Sequence, residues 1–164
     1  MIGDMRTLFI ALRAIIVAAA FLLFWLWVAL RMRALDGTLG APLPEWTAVI
    51  GIFFLLVGAA LAFTCVTLFV IRGRGTPAPF DAPRQFVAAG PYRIIRNPMY
   101  VGGLTMLLGL GFYERSKAIL LFCPAWLLLA HVFVVLYEEP TLREKFGASY
   151  EDYCRAVPRW IPRW

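Results

Sequence analysis

The chain has 164 residues, 62% of them hydrophobic, and a mean hydropathy of +0.75, which excludes an ordinary soluble domain and predicts several bilayer spans in one compact membrane domain over residues 1–164. The net charge of +6 carries no basic run interleaved with aromatics in the polar stretches, so nucleic acid is not an expected partner.

Leu8 to Leu30 is long and apolar enough to span. Arg13 lies just inside its start, where its long stem favours snorkelling to the near surface over a partner helix. The Ala18-Ala19-Ala20 triplet is followed directly by more apolar sequence to Trp27, which predicts a retained anchor rather than a cleaved leader. A Gly- and Pro-containing loop, Arg31 to Glu45, leads to a second span over Trp46 to Ile71, with Trp46 as an interfacial anchor. Gly58, Ala59, Ala60 and Ala62 make part of that span narrow enough for close helix packing.

Arg72 to Asn97 is a long polar connection rich in Pro, Gly and Arg. Met99 to about Tyr113 is a third apolar segment, short for a full span. Gly102 and Gly109 share one face of it, where a helix, a lipid tail or a cofactor can come close to the backbone. After the polar break Glu114–Lys117, Ala118 to Tyr137 forms a fourth span that Pro124 is expected to kink. The third and fourth segments make a helical hairpin. The tail, Glu138 to Trp164, is charged and amphipathic, and Trp160, Ile161 and Trp164 beside Arg159 and Arg163 predict a surface-lying end.

The expected fold is therefore an all-α membrane protein with about four transmembrane helices, a C-terminal helical hairpin and a cytoplasmic amphipathic tail. Residues 1–71 hold the first two spans, 72–97 a cytoplasmic loop and 98–164 the hairpin and tail. Arg72, Arg74, Arg84, Arg93 and Arg96 in the loop, with Arg143, Lys145, Arg155, Arg159 and Arg163 in the tail, outnumber the basic residues of the opposite turns. The positive-inside rule then places both termini in the cytoplasm, in an inner or plasma membrane. Cys65, Cys123 and Cys154 have no spacing typical of a metal site or a redox pair, and nothing in the pattern sets an oligomeric state.

Two constellations carry chemistry. In Gly90 to Gly102, Pro91 and Pro98 stiffen the backbone, and Arg93, Arg96 and Asn97 sit beside a helix N-terminus that favours anions. In Tyr137-Glu138-Glu139-Pro140, the glutamates either open a new helix at Pro140 or belong to a site; His131, Val135 and Glu138 share one helical face. For His131 an interhelical hydrogen bond is the simpler role. The hairpin brings Arg93, Arg96, Asn97 and Tyr100 toward His131, Glu138 and Glu139, a set suited to a zwitterionic ligand. No G-x-G-x-x-G, P-loop, H-E-x-x-H or G-x-S-x-G motif is present.

Gly90-Pro91-Tyr92 followed by Arg96-Asn97-Pro98-Met99-Tyr100-Val101-Gly102 resembles the signature of the integral-membrane methyltransferases. These include the isoprenylcysteine carboxyl methyltransferases and the phospholipid N-methyltransferases. Glu138-Glu139, Phe146-Gly147 with Tyr150 and Tyr153, and Val157-Pro158-Arg159 with Ile161-Pro162 continue the pattern in order, covering Ala88 to Pro162. The resemblance implies an S-adenosylmethionine site in the hairpin and tail, open to the cytoplasm, with a lipid or lipid-like acceptor entering from the bilayer. By the same resemblance Tyr92, Arg96, Asn97, Pro98, Tyr100, Gly102, Glu138, Glu139 and Arg159 are the cofactor-binding candidates. Arg96, Asn97, His131 and Glu138 are the candidates for catalysis, and the Gly102–Gly109 face is the expected path of the acceptor's tail. Many members carry histidine where this chain has Asn97, which hydrogen-bonds but cannot shuttle a proton. The alternatives are a non-enzymatic membrane subunit that kept the fold and, more weakly, a membrane reductase.

Overall fold

The computed structural model describes residues 2–73 and 87–162. Arg74, Arg84, Arg163 and Trp164, and the side chain of Arg72, lie outside what is described, and with them part of the loop-charge argument. Among the described residues six α-helices follow one another: α1 (Ile2–Arg33), α2 (Thr47–Leu68), α3 (Pro98–Tyr113), α4 (Lys117–Phe133), α5 (Glu139–Phe146) and α6 (Ala148–Ala156). Three helical stretches among the described residues are long and apolar enough to cross a membrane, Ile15–Thr38, Thr47–Ile71 and Lys117–Phe146. The fourth expected span is the shorter α3, whose 16 residues reach about 24 Å at 1.5 Å per residue. That falls short of a hydrocarbon core of about 30 Å.

α2 and α3 pack tightly, because glycines on both helices remove the side chains that would hold them apart. A Cβ on Gly58 would lie 2.7 Å from Gly102 O, one on Gly109 2.7 Å from Leu55 N, and one on Gly51 2.4 Å from Tyr113 N. The shared glycine face of α3 is thus filled by α2, which removes Gly102–Gly109 as a path for a lipid tail. The other side of α3 meets α4, where Gly103 faces Trp126 and Gly111 faces Leu120. A buried cluster of Ala29, Leu107, Ile119, Cys123, Trp126 and Ala130 joins α1, α3 and α4, with Trp25 of α1 packed against it. Arg13 is exposed.

The turn between α3 and α4 is fixed by several short-range devices. Ser116 is fully buried and caps α4 by accepting from Ile119 N at 3.1 Å. Asp36, in the 3₁₀ turn Asp36–Thr38, accepts from Ala118 N at 2.9 Å. Arg115 has φ 57°, costly for a residue with a Cβ. It is held there by Leu43, whose carbonyl accepts from Arg115 Nε at 2.6 Å and whose N–H donates to Arg115 O at 3.2 Å. A cleft of about 280 Å³ opens at this end, lined by Arg33, Asp36, Glu114, Arg115 and Lys117 among others. Arg33 and Glu114 are ion-paired there, and Lys117 donates to Leu39 O.

At the opposite end α2 widens into a π turn, Phe69–Gly73, and α4 widens likewise over Val134–Glu138 before running on as α5. Pro140 lies at the start of α5. A proline inside a helix lacks a donor and crowds the carbonyl four residues back, and the wider turn just before it accommodates both. The helix therefore continues past Pro140 instead of restarting. The tail is not a surface-lying end throughout. Ile161 is exposed, but Trp160 turns inward against the main buried cluster. Long-range hydrogen bonds cause the reversal, beginning with Arg96 N to Pro158 O at 2.9 Å.

Candidate functional site

The segment before α3 is a 3₁₀ turn, Gly90–Arg93, entered through Gly90 at φ 55°, a conformation in which a side chain would be strained. Pro98 takes the first turn of α3, where its missing N–H has no partner to lose, and it is fully buried. Asn97 stands at the N-cap position but makes no side-chain cap bond. Its amide is used across the chain, with Nδ2 donating to Arg159 O at 3.2 Å.

Three arginines from three elements converge on Glu139, which is only 2% exposed. Arg159 of the tail donates to both carboxylate oxygens, Nε at 2.8 Å and Nη2 at 3.0 Å. Arg96 Nη1 lies 3.1 Å from Oε1 and Arg143 Nη2 3.6 Å from Oε2. The bidentate contact, first among the causes, raises the already high Arg159 pKa further. Arg143 also pairs with Glu151 at 2.7 Å. Arg96 is nearly buried, and its Nε is enclosed with no hydrogen-bond partner among the described residues. Its Nη1 also donates to Cys154 Sγ at 2.8 Å.

Glu138 stands apart from this hub. It is partly buried and its Oε2 accepts from the Tyr100 hydroxyl at 2.7 Å. Tyr100 opens an aromatic wall, its ring centroid 6.2 Å from Trp160 and 6.4 Å from Trp126. Trp160 Nε1 donates to His131 Nδ1 at 3.0 Å, so the neutral imidazole carries its proton on Nε2. Beneath, the Tyr153 hydroxyl donates to Tyr92 O at 2.6 Å and Tyr92 packs edge-on against Phe69. Burial pushes the Tyr92, Tyr150 and Tyr153 phenols well above their ordinary range.

Of the residues singled out in the sequence, Arg96, Asn97, Tyr100, His131, Glu138, Glu139 and Arg159 are linked through these contacts, while Pro98 is buried in the first turn of α3. Tyr92 belongs to a second buried group with Cys65 and Val87, against the end of α2. Gly102 lies at the α2 seam, where a Cβ would come within 3.1 Å of Gly58 O, so its smallness serves helix packing. Arg93 is exposed. The cleft lined by Arg33 and Lys117 is at the other end of the bundle, with its charges largely engaged in the loop contacts described above. Sequence reasoning missed Arg143, Cys154 and Trp126. Arg143 was legible as four residues beyond Glu139, a helical pair spacing; Cys154 carried no signal. Among the described residues no group of three or more His, Cys, Asp or Glu is placed to hold a metal ion.

The family model of the phospholipid methyltransferases matches residues 46–149, from the start of α2 into the tail. The chain belongs to this family. It is 28% identical over 128 residues to the cobalt-zinc-cadmium resistance protein CzcN of Cupriavidus metallidurans, covering 78% of this chain and 53% of that protein. Protein-S-isoprenylcysteine O-methyltransferase B of Arabidopsis thaliana is 27% identical over 123 residues, 71% of this chain and 60% of its own. Methanethiol S-methyltransferase 2 of Bradyrhizobium diazoefficiens is 38% identical over 76 residues, 44% of this chain and 27% of its own. The chain thus spans about half the length of the first two. No solved structure matches it.

Proposed function

We propose that this membrane protein is an S-adenosylmethionine-dependent methyltransferase acting on a lipophilic acceptor, with its site at the Arg96–Glu138 end of α3 and α4. The observation that carries the reading is the enclosed Nε of Arg96, without a partner among the described residues, at the same end of the hairpin as Glu138, a carboxylate that accepts from the Tyr100 hydroxyl. That donor and acceptor set fits the cofactor. Arg96 would take the methionyl carboxylate, and Glu138 the ammonium or the ribose hydroxyls. The cofactor would supply a sulfonium methyl group as electrophile.

The residues of the chain then bind and orient. Glu139 holds Arg96, Arg143 and Arg159 rather than touching the ligand itself. Asn97 fastens the tail through Arg159 O. Tyr100, Trp126 and Trp160 form an apolar wall that excludes water from the reacting centre. His131 positions Trp160, since its Nδ1 already accepts a hydrogen bond from the indole N–H. Methyl transfer depends chiefly on placing the acceptor atom in line. An ammonium acceptor must lose a proton first and so needs a base, whereas a carboxylate or thiolate acceptor needs none. On this reading the hairpin and tail from residue 98 on, together with Arg96 just before them, hold the cofactor, and both termini face the cytoplasm.

The test is calorimetric binding of S-adenosylhomocysteine to the purified protein in detergent. It is followed by methyl-labelled cofactor with prenylcysteine, phosphatidylethanolamine and hydrophobic thiol acceptors in nanodiscs. Saturable binding and label in one acceptor class are expected. Absence of any binding would sink the enzyme reading in favour of a non-enzymatic subunit.

A further inference from the structure

Among the described residues, Arg96 makes both of its side-chain contacts through one nitrogen. Nη1 lies 3.1 Å from Glu139 Oε1 and donates to Cys154 Sγ at 2.8 Å, while Nε has no partner. The guanidinium therefore shares its carboxylate with two other arginines and is under-supplied with acceptors. A thiol sulfur is a weak acceptor. It holds a guanidinium in place yet loses to an oxygen anion, whose hydrogen bonds to a cation are about twice as strong as neutral ones. A hydroxyl at this position would compete better against a ligand. A methyl group would leave another donor unmet in an enclosed site.

We propose that Cys154 is a positioning residue for Arg96: its sulfur is a replaceable contact that the guanidinium exchanges for a carboxylate oxygen of the bound ligand. The ligand's identity rests on the methyltransferase reading above; the Arg96–Cys154 contact rests on geometry alone. Because Cys154 lies in α6, the exchange also reaches the tail, which Tyr153 ties to Tyr92 and Pro158 ties to Arg96.

Cys65 and Cys123 are buried whereas Cys154 is partly exposed, so Cys154 is the thiol open to alkylating agents. The experiment measures the rate of N-ethylmaleimide addition at Cys154 by mass spectrometry on the full chain in detergent. A cationic neighbour speeds thiol alkylation, so Arg96→Gln should slow it several-fold; equal rates would overturn the contact. S-adenosylhomocysteine should slow addition in the unmutated protein, whereas 5′-methylthioadenosine, which lacks the amino-acid carboxylate, should not. Cys154→Ser, which keeps a polar side chain and needs no labelling, should weaken S-adenosylhomocysteine by about three- to tenfold, the net worth of one hydrogen bond. It should leave 5′-methylthioadenosine unchanged. A Cys154→Ser protein that binds both compounds as the unmutated one does, or loses both equally, would overturn the exchange. Failure of the unmutated protein to bind either compound, with the Arg96 dependence of alkylation intact, overturns the cofactor reading and the exchange but leaves the contact standing.

Discussion

Glu138 and Glu139 are adjacent in sequence but make different contacts, and Glu139→Gln separates their roles. The substitution keeps the shape and one acceptor oxygen, so part of the Arg159 contact survives. It removes the negative charge that three arginines share. Arg143 is 43% exposed and Arg159 31%, so water and Glu151 offset most of their loss. Arg96, at 11%, has little access to water and is left as an enclosed cation. Stripping a buried ion of its partner costs about 3–5 kcal/mol, and the surviving amide contacts bring the expected loss to about 3 kcal/mol. Unfolding in mixed detergent–SDS micelles should show that loss, and trypsin should cut the tail at Arg155 and Arg159 faster. Glu138→Gln retains an acceptor for Tyr100 and should cost less than about 1 kcal/mol of stability, while weakening S-adenosylhomocysteine. Equal stability of the Glu139→Gln and unmutated proteins, with unchanged tail cleavage, would refute the hub.

The α2–α3 seam makes Gly58→Ala and Gly109→Ala overpacking changes, since their Cβ atoms would lie 2.6–2.7 Å from neighbouring atoms. Each should destabilise by about 1–3 kcal/mol in the same micelle assay, and Gly37→Ala, with nothing within 4 Å, should not. Tyr153→Phe removes the donor to Tyr92 O and should cost about 1 kcal/mol, read as faster proteolysis of the tail. Cysteines introduced at Gly37 and Ala148 should label from opposite sides of the membrane; labelling from one side would reject the proposed orientation.

How much of this was legible beforehand depends on the range of the forces involved. Apolar run length and composition are properties of contiguous sequence, so the spans, the short third segment, Pro98 at a helix start and the polar break before α4 were all readable from residue order. The ordered motifs from Tyr92 to Pro162 likewise pointed to the methyltransferase family. Periodicity showed that Gly102 and Gly109 share a face; only tertiary packing decided that α2 covers it. Nothing local told Glu138 from Glu139, because one position of helical rotation sends one carboxylate to Tyr100 and the other to Arg96 and Arg159. The tail carried an amphipathic pattern that read as a surface segment. Its reversal comes from partners some sixty residues away, Arg96 N on Pro158 O and Asn97 on Arg159 O, and from Trp160 on His131. Those contacts exist only once the hairpin has formed, since it alone brings the start of α3 and the end of α4 within reach of one short strap.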